Sequence, residues 1–555
     1  MLPHGSTLAP IIIATDKTQL TQFSGNKKAY PVYLTLGNLP KSIRRKPSKR
    51  ACVLIAYLSV DKIKQDKLTN QEYRSRNQRL FHESMRLVLS PLQDAGRNGV
   101  DMCSGDGAVR KVHPVLACYV ADYPEQCLVT CAKYGTCPKC QVHEDALQDM
   151  NPSDPRSQYW TTSIINDAMS TSNSPSQFYK NCMNVGISGS LHRPFWQDFP
   201  FTDIHKSMTP DVLHQLHQGV LKHLINWCQR AMSQTELDRR IRSLPPAYGV
   251  RHFKNGISAL SQITGSERKN MAKILLGCLR GALPKKGLLA VKSILDFIYL
   301  AQYSTHDNAT LQYMEDSLST WEENRGFFVE DTGIRENLNI PKFHSLLHYI
   351  ESIRLFGVTD NYNSEMFERL HIDFAKHGWR ASNKRDEFPQ MISWLSRQEK
   401  IDSFDSYLSS SDSRELSRSE SGQPLHGLSR ISVAKFPNYP NKSIANIIKS
   451  HQAPAFERHL KEYLNHFLDK RTSNHQAMQY PLPFQHLDVF NQFKFCPFNL
   501  QDDEEEERDI VKAIPASKRF PSGRFDTVIV LKTDNAESTG LIGSYHTMTA
   551  RHKYN

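Results

Sequence analysis

Cys127, Cys131, Cys137, Cys140 and His143 fall within 17 residues. Cys137-Pro138-Lys139-Cys140 has the spacing of a zinc knuckle, in which a tight turn brings two thiolates to one tetrahedral ion. The remaining ligands are either local, from Cys127, Cys131 or His143, or distant. His214 and His217 stand at i,i+3 on a stretch of helical periodicity. That spacing turns two imidazoles toward one metal, and His205 and His223 are alternatives. A zinc held this way is structural and pins an irregular segment to a helical one. The competing reading makes Cys127 and Cys131 buried thiols and His214 and His217 a hydrogen-bonded pair.

Carboxylates form the second constellation. The β-branched run Ile11 to Thr15 ends at Asp16, and the run His113 to Val120 ends just before Asp122. A helix is expected to begin near Asn361 to Ser364 and run through Glu365 and Glu368 to Ala375. Two strands ending in acids, with a meander between them and an acid on a later helix, are the layout of an RNase H-like fold. Phosphodiester cleavage suits such a cluster. Two hard divalent ions about 4 Å apart bind carboxylate oxygen and stabilise the attacking and leaving oxygens. The plainer alternative has Asp16 ending a strand in a turn and Glu365 pairing with Arg369 at i,i+4.

These residues need a scaffold to bring them together. Ile11 to Thr15, Tyr30 to Leu36 and Ala51 to Leu58 read as an antiparallel meander, with His113 to Val120 a fourth strand. Residues 62–95 are helix-compatible. Residues 123–200 are rich in Cys, Pro, Ser and Asn and read as irregular. From Thr209, expected to cap a helix with Pro210 at its first position, the periodicity is helical to about Gln398. Val212, Leu213, Leu216, Val220, Leu224 and Trp227 form one stripe. Met271, Ile274, Leu275 and Leu279 form a second, and Leu288, Val291, Leu295 and Ile298 a third. Residues 409–423 read as a linker, and the run Asp502 to Glu507 as a solvated loop. Phe525 to Leu531 reads as a strand. The chain has 555 residues, 39% hydrophobic and 10% aromatic, which excludes a wholly disordered polymer. No stretch approaches the ~20 uninterrupted apolar residues of a membrane span, and no signal peptide is expected. Eleven Cys in so long a chain argues for a reducing compartment rather than a disulfide scaffold. The net charge of +12 is mild and compatible with a polyanionic partner.

The order of motifs resembles the Plavaka transposases of fungal DNA transposons, relatives of the CACTA group. The stretches that carry the resemblance are 10–48, 104–126, CPKC at 137–140, TPDVLHQLHQGVLKHLINWC at 209–228, and 340–400 with NYNSEMFERLH. The resemblance covers about residues 9–540. It implies an α/β RNase H-like core interrupted by a large helical insertion, with a small α+β C-terminal region. The implied segments are the first part of the core at 9–125, a Cys-rich segment at 126–200, the insertion at 201–340, and the return of the core at 341–405. A linker at 406–429 and a C-terminal domain at 430–555 follow. It implies Asp16, Asp122 and Glu368 as the catalytic, metal-binding triad, with Glu365 the competing third acid. The implied reaction is Mg²⁺- or Mn²⁺-dependent hydrolysis at transposon ends followed by strand transfer into target DNA. Cys137, Cys140, His214 and His217 are the expected zinc ligands. The expected partner is DNA, with self-association admitted and no membrane, and the expected compartment is the nucleus.

Three further expectations follow. Lys41 to Arg50 carries six cations in ten residues and reads as a phosphate-binding or nuclear-import segment, with a solvated loop as the alternative. Lys376 to Arg385 sets Trp379 among cations, as a base-stacking or a core residue. His344 and His348, at i,i+4, read as packing or DNA contacts, because no third ligand accompanies them. The start of the chain shortly before Asp16 and its unfamiliar last residues are read as marks of a truncated copy. The alternative function is a non-catalytic transposase-derived DNA-binding or scaffold protein. A general RNase H-type nuclease is a weaker third reading.

Overall fold

The run Thr7–Thr15 (β1) is the central strand of a five-stranded mixed sheet. The structure is a computed structural model and describes residues 2–21, 26–151, 153–247, 250–416, 431–434, 436–466, 481–495, 509–518, 520–531 and 545–549. Residues 1–414 and 415–555 form two separate units.

In the first unit, Pro31–Leu36 (β2) pairs antiparallel with β1, and Cys52–Tyr57 (β3) pairs antiparallel with β2. This is the expected meander. Helix Asn70–Asn98 (α1) follows, started by a capping box between Thr69 and Glu72. The hairpin Val100–Cys103 (β4) and Val109–Val120 (β5) then places β5 parallel to β1 on its other side. The spatial order is β3-β2-β1-β5-β4.

The sheet explains why Ile11 to Ala14 is apolar without alternation. Ile11 and Ile13 pack on one face with Phe81, Met85 and Leu89 of α1. Ile12 and Ala14 pack on the other with Phe367 and Leu370 from helix Ser364–His371. A strand buried on both faces has no polar side to show.

Residues 123–200, read from sequence as irregular, contain helices Tyr123–Thr130 (α2), Gln158–Thr171 (α3) and Pro175–Asn184 (α4). Ser157 and Ser174, part of the composition that suggested loops, are their N-caps, accepting from Trp160 and Gln177 backbone N–H groups.

The helical stripes pack as expected. Leu216, Leu224, Trp227, Met271, Leu275, Val291 and Ile298 all lie in one large core. Its start differs from expectation. Thr209 donates its hydroxyl to the Tyr119 carbonyl and is no cap. Asp211 caps the segment instead, accepting from Leu213 and His214 backbone N–H groups. The segment Val212–Val220 is π-helical before it runs into α-helix Leu221–Met232 (α5). Helices Gly265–Leu279 (α6), Lys285–Leu300 (α7) and Asn308–Asn324 (α8) follow. Helix Ser364–His371 (α9) leads into a second π-helical turn, Ile372–Lys376. Residues 409–416, read as the start of a linker, instead end the long helix Glu387–Leu416 (α10).

The second unit contains a four-stranded antiparallel sheet of Ile431–Val433, Gln492–Phe495, Asp509–Ile514 and Arg524–Phe525, and helices Ile444–His451 and Phe456–His466. The expected strand near Phe525 is present as Thr527–Leu531, paired with Tyr545–Thr549. The acidic run 502–507 lies outside the described residues.

Candidate metal centres

The first candidate centre lies at the ends of β1 and β5, where Asp16, Asp122 and Glu368 are not gathered into a group with all ligand atoms within 4.8 Å of one another. Ala14 stands opposite Val120 in the parallel register. Asp16 and Asp122 therefore both lie two residues beyond a paired position, at the same edge of the sheet. Asp122 is also the N-cap of α2, its Oδ1 accepting from the Glu125 backbone N–H at 3.0 Å. Burial raises its carboxyl, and the nearby Asp16 and Asp211 charges add to this against the pull of His214. Asp16 accepts from His371 Nε2 at 3.2 Å, and His371 Nδ1 lies 2.9 Å from the Tyr33 hydroxyl.

Glu368 reaches this centre through His214. His214 donates from Nδ1 to Asp211 at 2.6 Å and from Nε2 to Glu368 at 3.1 Å. Asp211 is buried and also accepts from the Ser364 hydroxyl at 2.6 Å, which ties the π-helical segment to α9. Burial alone would lower the His214 imidazole, but Asp211 and Glu368 push it up to about 11. Gly219 permits the same packing. A Cβ there would collide with Lys342, whose ammonium donates to the His214 carbonyl at 2.8 Å. Glu365, the competing acid, is engaged elsewhere, in an ion pair with Lys269 of α6 at 2.7 Å.

Behind the strand ends lies Glu125, which sequence reading did not single out. It is buried and accepts from the Thr15 hydroxyl, and Thr15 in turn lies 3.0 Å from the Tyr119 hydroxyl. Burial pushes its carboxyl up to about 8. A Glu at the third position of a helix capped by Asp122 was the available signal, since that position is set by the cap.

The second centre is the Cys-x-x-Cys turn. Cys137 Sγ lies 3.2 Å from His348 Nε2, and Cys140 Sγ lies 3.1 Å from His344 Nε2. One ligand atom from each of these four residues falls within 4.8 Å of the others, the only such group of three or more among the described residues. Four soft and borderline donors at this spacing fit a closed tetrahedral zinc site. His344 Nδ1 donates to the Leu147 carbonyl at 3.2 Å, which leaves Nε2 free to face a metal. The Lys139 backbone N–H points at Cys137 Sγ at 3.3 Å. Cys137 is held well below the ordinary thiol value. Burial opposes this, but Cys140 donates to it and both imidazoles lie close. Cys140 is raised by that same contact with Cys137 and by burial.

The zinc ligands expected at His214 and His217 are therefore corrected. His214 belongs to the carboxylate centre. His217 donates to Gln302 Oε1 at 3.1 Å, and burial lowers it to about 4. A π-helical turn is wider than an α turn, so i,i+3 residues do not share a face there. His344 and His348, read as packing or DNA contacts, are the residues beside the thiols. Their spacing was visible, but their thiol partners lie some 200 residues earlier. His205 supports the knuckle from behind, donating from Nδ1 to the Pro138 carbonyl at 2.7 Å. His223 packs against Trp227 and Phe343. Cys127 and Cys131 are buried thiols outside the group, and His143 is exposed, accepting from the Asp145 backbone N–H.

Two basic segments turn residues inward, although Lys46 and Lys49 stay exposed. In 41–50, Arg44 is buried, donating to the carbonyls of Leu36, Gly37 and Leu39 and to Asn361. Arg45 pairs with Asp360 and Arg50 with Asp402. These cations bind the protein itself. Trp379 is a core residue beside Leu20, Ala29 and Met391, not a free stacking surface.

Among the described residues no helix is long and apolar enough to cross a membrane. No curated protein matches the chain. Residues 416–543 match a family described as a domain of unknown function (DUF6830). Residues 1–228 match the family described as Plavaka transposase. Both strand-end aspartates, the Cys-x-x-Cys turn and the Asp211–His214 pair lie inside that match, so this part of the chain is similar to the Plavaka transposases.

Proposed function

We propose that the chain is a cut-and-paste transposase of RNase H-like type, with Asp16, Asp122 and Glu368 as its catalytic acids. The observation that carries the reading is the shared sheet edge of Asp16 and Asp122, with Glu368 linked to Asp122's surroundings through His214. The strand order, with β5 parallel to the first strand of a meander, agrees with such a core. Three carboxylates suit hard divalent cations, which when bound would stabilise the attacking and leaving oxygens of a phosphodiester. The chain's own part is positional. The α2 cap fixes Asp122, His371 fixes Asp16, and His214 fixes Glu368. Cys137, Cys140, His344 and His348 would hold a structural zinc that joins the knuckle to the segment preceding α9. DNA is the proposed partner and the nucleus the proposed compartment.

A second reading, a non-catalytic descendant that keeps the fold, is favoured by the same histidines. His371 and His214 already engage two of the three acids. The test is a Mn²⁺ titration by calorimetry on zinc-loaded protein, wild type against Asp122→Asn, with a nicking assay on a matched terminal-repeat duplex. The transposase reading expects wild-type binding and nicking that the substitution abolishes. Equal behaviour of the two proteins overturns it in favour of the second reading.

A further inference from the structure

A groove of about 1200 Å³ opens beside the carboxylate centre. Lys17, next to Asp16, and Pro124, between Asp122 and Glu125, stand at its lining, so the groove and the acids share an edge. Its walls carry six cations, Lys17, Lys27, Lys28, Lys62, Arg74 and Lys133, against three carboxylates, Asp61, Asp386 and Glu387. Two of the cations are used internally: Lys27 pairs with Glu387 and Lys133 with Glu144, each at 2.8 Å. Lys17 lies over the Tyr30 ring at 4.5 Å. Lys28, Lys62 and Arg74 are exposed and are not in an ion pair with any described residue. Tyr73 and Tyr134 share the lining with them, the latter tilted against Tyr123 at 5.6 Å. Tyr134 is 70% exposed, and half-buried Tyr73 lies on α1 one residue before Arg74.

Spaced cations that track a backbone, with open aromatic faces between them, are the chemistry of a single-stranded nucleic acid path. We infer that this groove takes an unpaired stretch of the DNA strand entering the carboxylate centre. Its phosphates lie along Lys28, Lys62 and Arg74, and a base stacks on Tyr134. The inference rests on the transposase reading for the identity of the strand. The groove's charge and rings stand without it.

The test is fluorescence anisotropy with the zinc-loaded full chain in buffer without Mg²⁺ or Mn²⁺, so that binding is read without cleavage. The probe is a fluorescein-labelled single-stranded DNA of mixed sequence, titrated across a range of KCl. The groove triple variant Lys28→Ala/Lys62→Ala/Arg74→Ala is compared with Lys254→Ala/Arg239→Ala/Lys292→Ala, which removes equal charge from exposed positions on the helical insertion. The groove triple is expected to bind at least tenfold more weakly, with a log–log salt slope shallower by about 2, since each single-strand phosphate contact contributes roughly 0.7. Tyr134→Ala is expected to weaken binding about fivefold or more with an unchanged slope. A duplex of the same sequence is expected to respond less to the groove triple. Equal losses in the two triples, an unchanged slope in the groove triple, or no wild-type binding overturns the inference. A wild-type chain that binds single-stranded DNA through the groove yet fails to nick the terminal-repeat duplex removes the catalytic reading alone.

Discussion

Removing His344 tests the thiol–imidazole centre most directly. His344 and Cys140 are each 2% exposed, so a metal there is closed off from solvent. The site joins residue 140 to residue 344 within one unit that runs from 1 to 414. A ligand bound only by the folded state at a thousandfold excess over its dissociation constant stabilises by about 4.1 kcal/mol. Unfolding entropy is roughly 2.1 cal/mol/K per residue, or about 0.9 kcal/mol/K for this unit, so the melting temperature should rise by roughly 5 °C with zinc. Calorimetric melts before and after chelation should show that difference in the wild type. In His344→Ala it should vanish, with zinc content by plasma mass spectrometry falling from one equivalent to well below half. His214→Ala should keep its full equivalent. Zinc loading should also release protons, because thiolates are the metal ligands and the contact with Cys137 and burial hold the Cys140 thiol raised in the metal-free state. Calorimetry in buffers of different ionisation enthalpy reads that release directly. Full zinc content in His344→Ala, or its loss in His214→Ala, would refute the assignment of ligands.

Three other outcomes follow from the buried charges. Glu125 titrates near 8 in the fold against about 4.5 unfolded, so the folded state holds an extra proton between those values and wild-type stability falls as pH rises through that window. Glu125→Gln removes the proton from play, and in EDTA its melting temperature should gain on the wild type between pH 5 and pH 8.5. A constant difference would show that Glu125 does not titrate there. His214 is raised to about 11, so its contribution is complete below its unfolded value near 6.5 and is lost as pH rises through 11. In EDTA, His214→Asn should melt below the wild type at pH 7 and approach it at pH 10.5; a gap that does not close argues for lost packing alone. Arg44→Met leaves three loop carbonyls and Asn361 without their buried donor and should cost about 3 kcal/mol or more in urea unfolding, where a free surface cation would cost under about 0.5.

What could be read from the sequence was set by how local each feature is. The strand at Ile11 to Ala14 and the knuckle at Cys137 and Cys140 declare themselves, because residue type and close spacing carry the whole signal. The histidines beside the thiols do not, since a turn at 137–140 holds no information about which histidine pair folds back onto it. Helical arithmetic favoured His214 and His217, and it failed because the segment is π-helical from Val212 to Val220. The contacts that accompany that departure reach outside the segment, with Asp211 bonding Ser364 and Lys342 reaching across Gly219 to the His214 carbonyl. The basic run 41–50 failed for a related reason: nothing in its composition shows that Arg44 has carbonyls waiting at 36, 37 and 39. In both cases charge looked outward in the sequence and turned inward in the fold. The same asymmetry separates the groove from those segments. Lys28, Lys62 and Arg74 come from three separate stretches of the chain, yet the fold brings them to the lining of one groove that also includes Lys17, the neighbour of Asp16. A dense basic run is easily absorbed by its own neighbourhood, whereas a groove whose cations outnumber its carboxylates and that leaves Lys28, Lys62 and Arg74 outside any ion pair among the described residues is the stronger mark of an external polyanion.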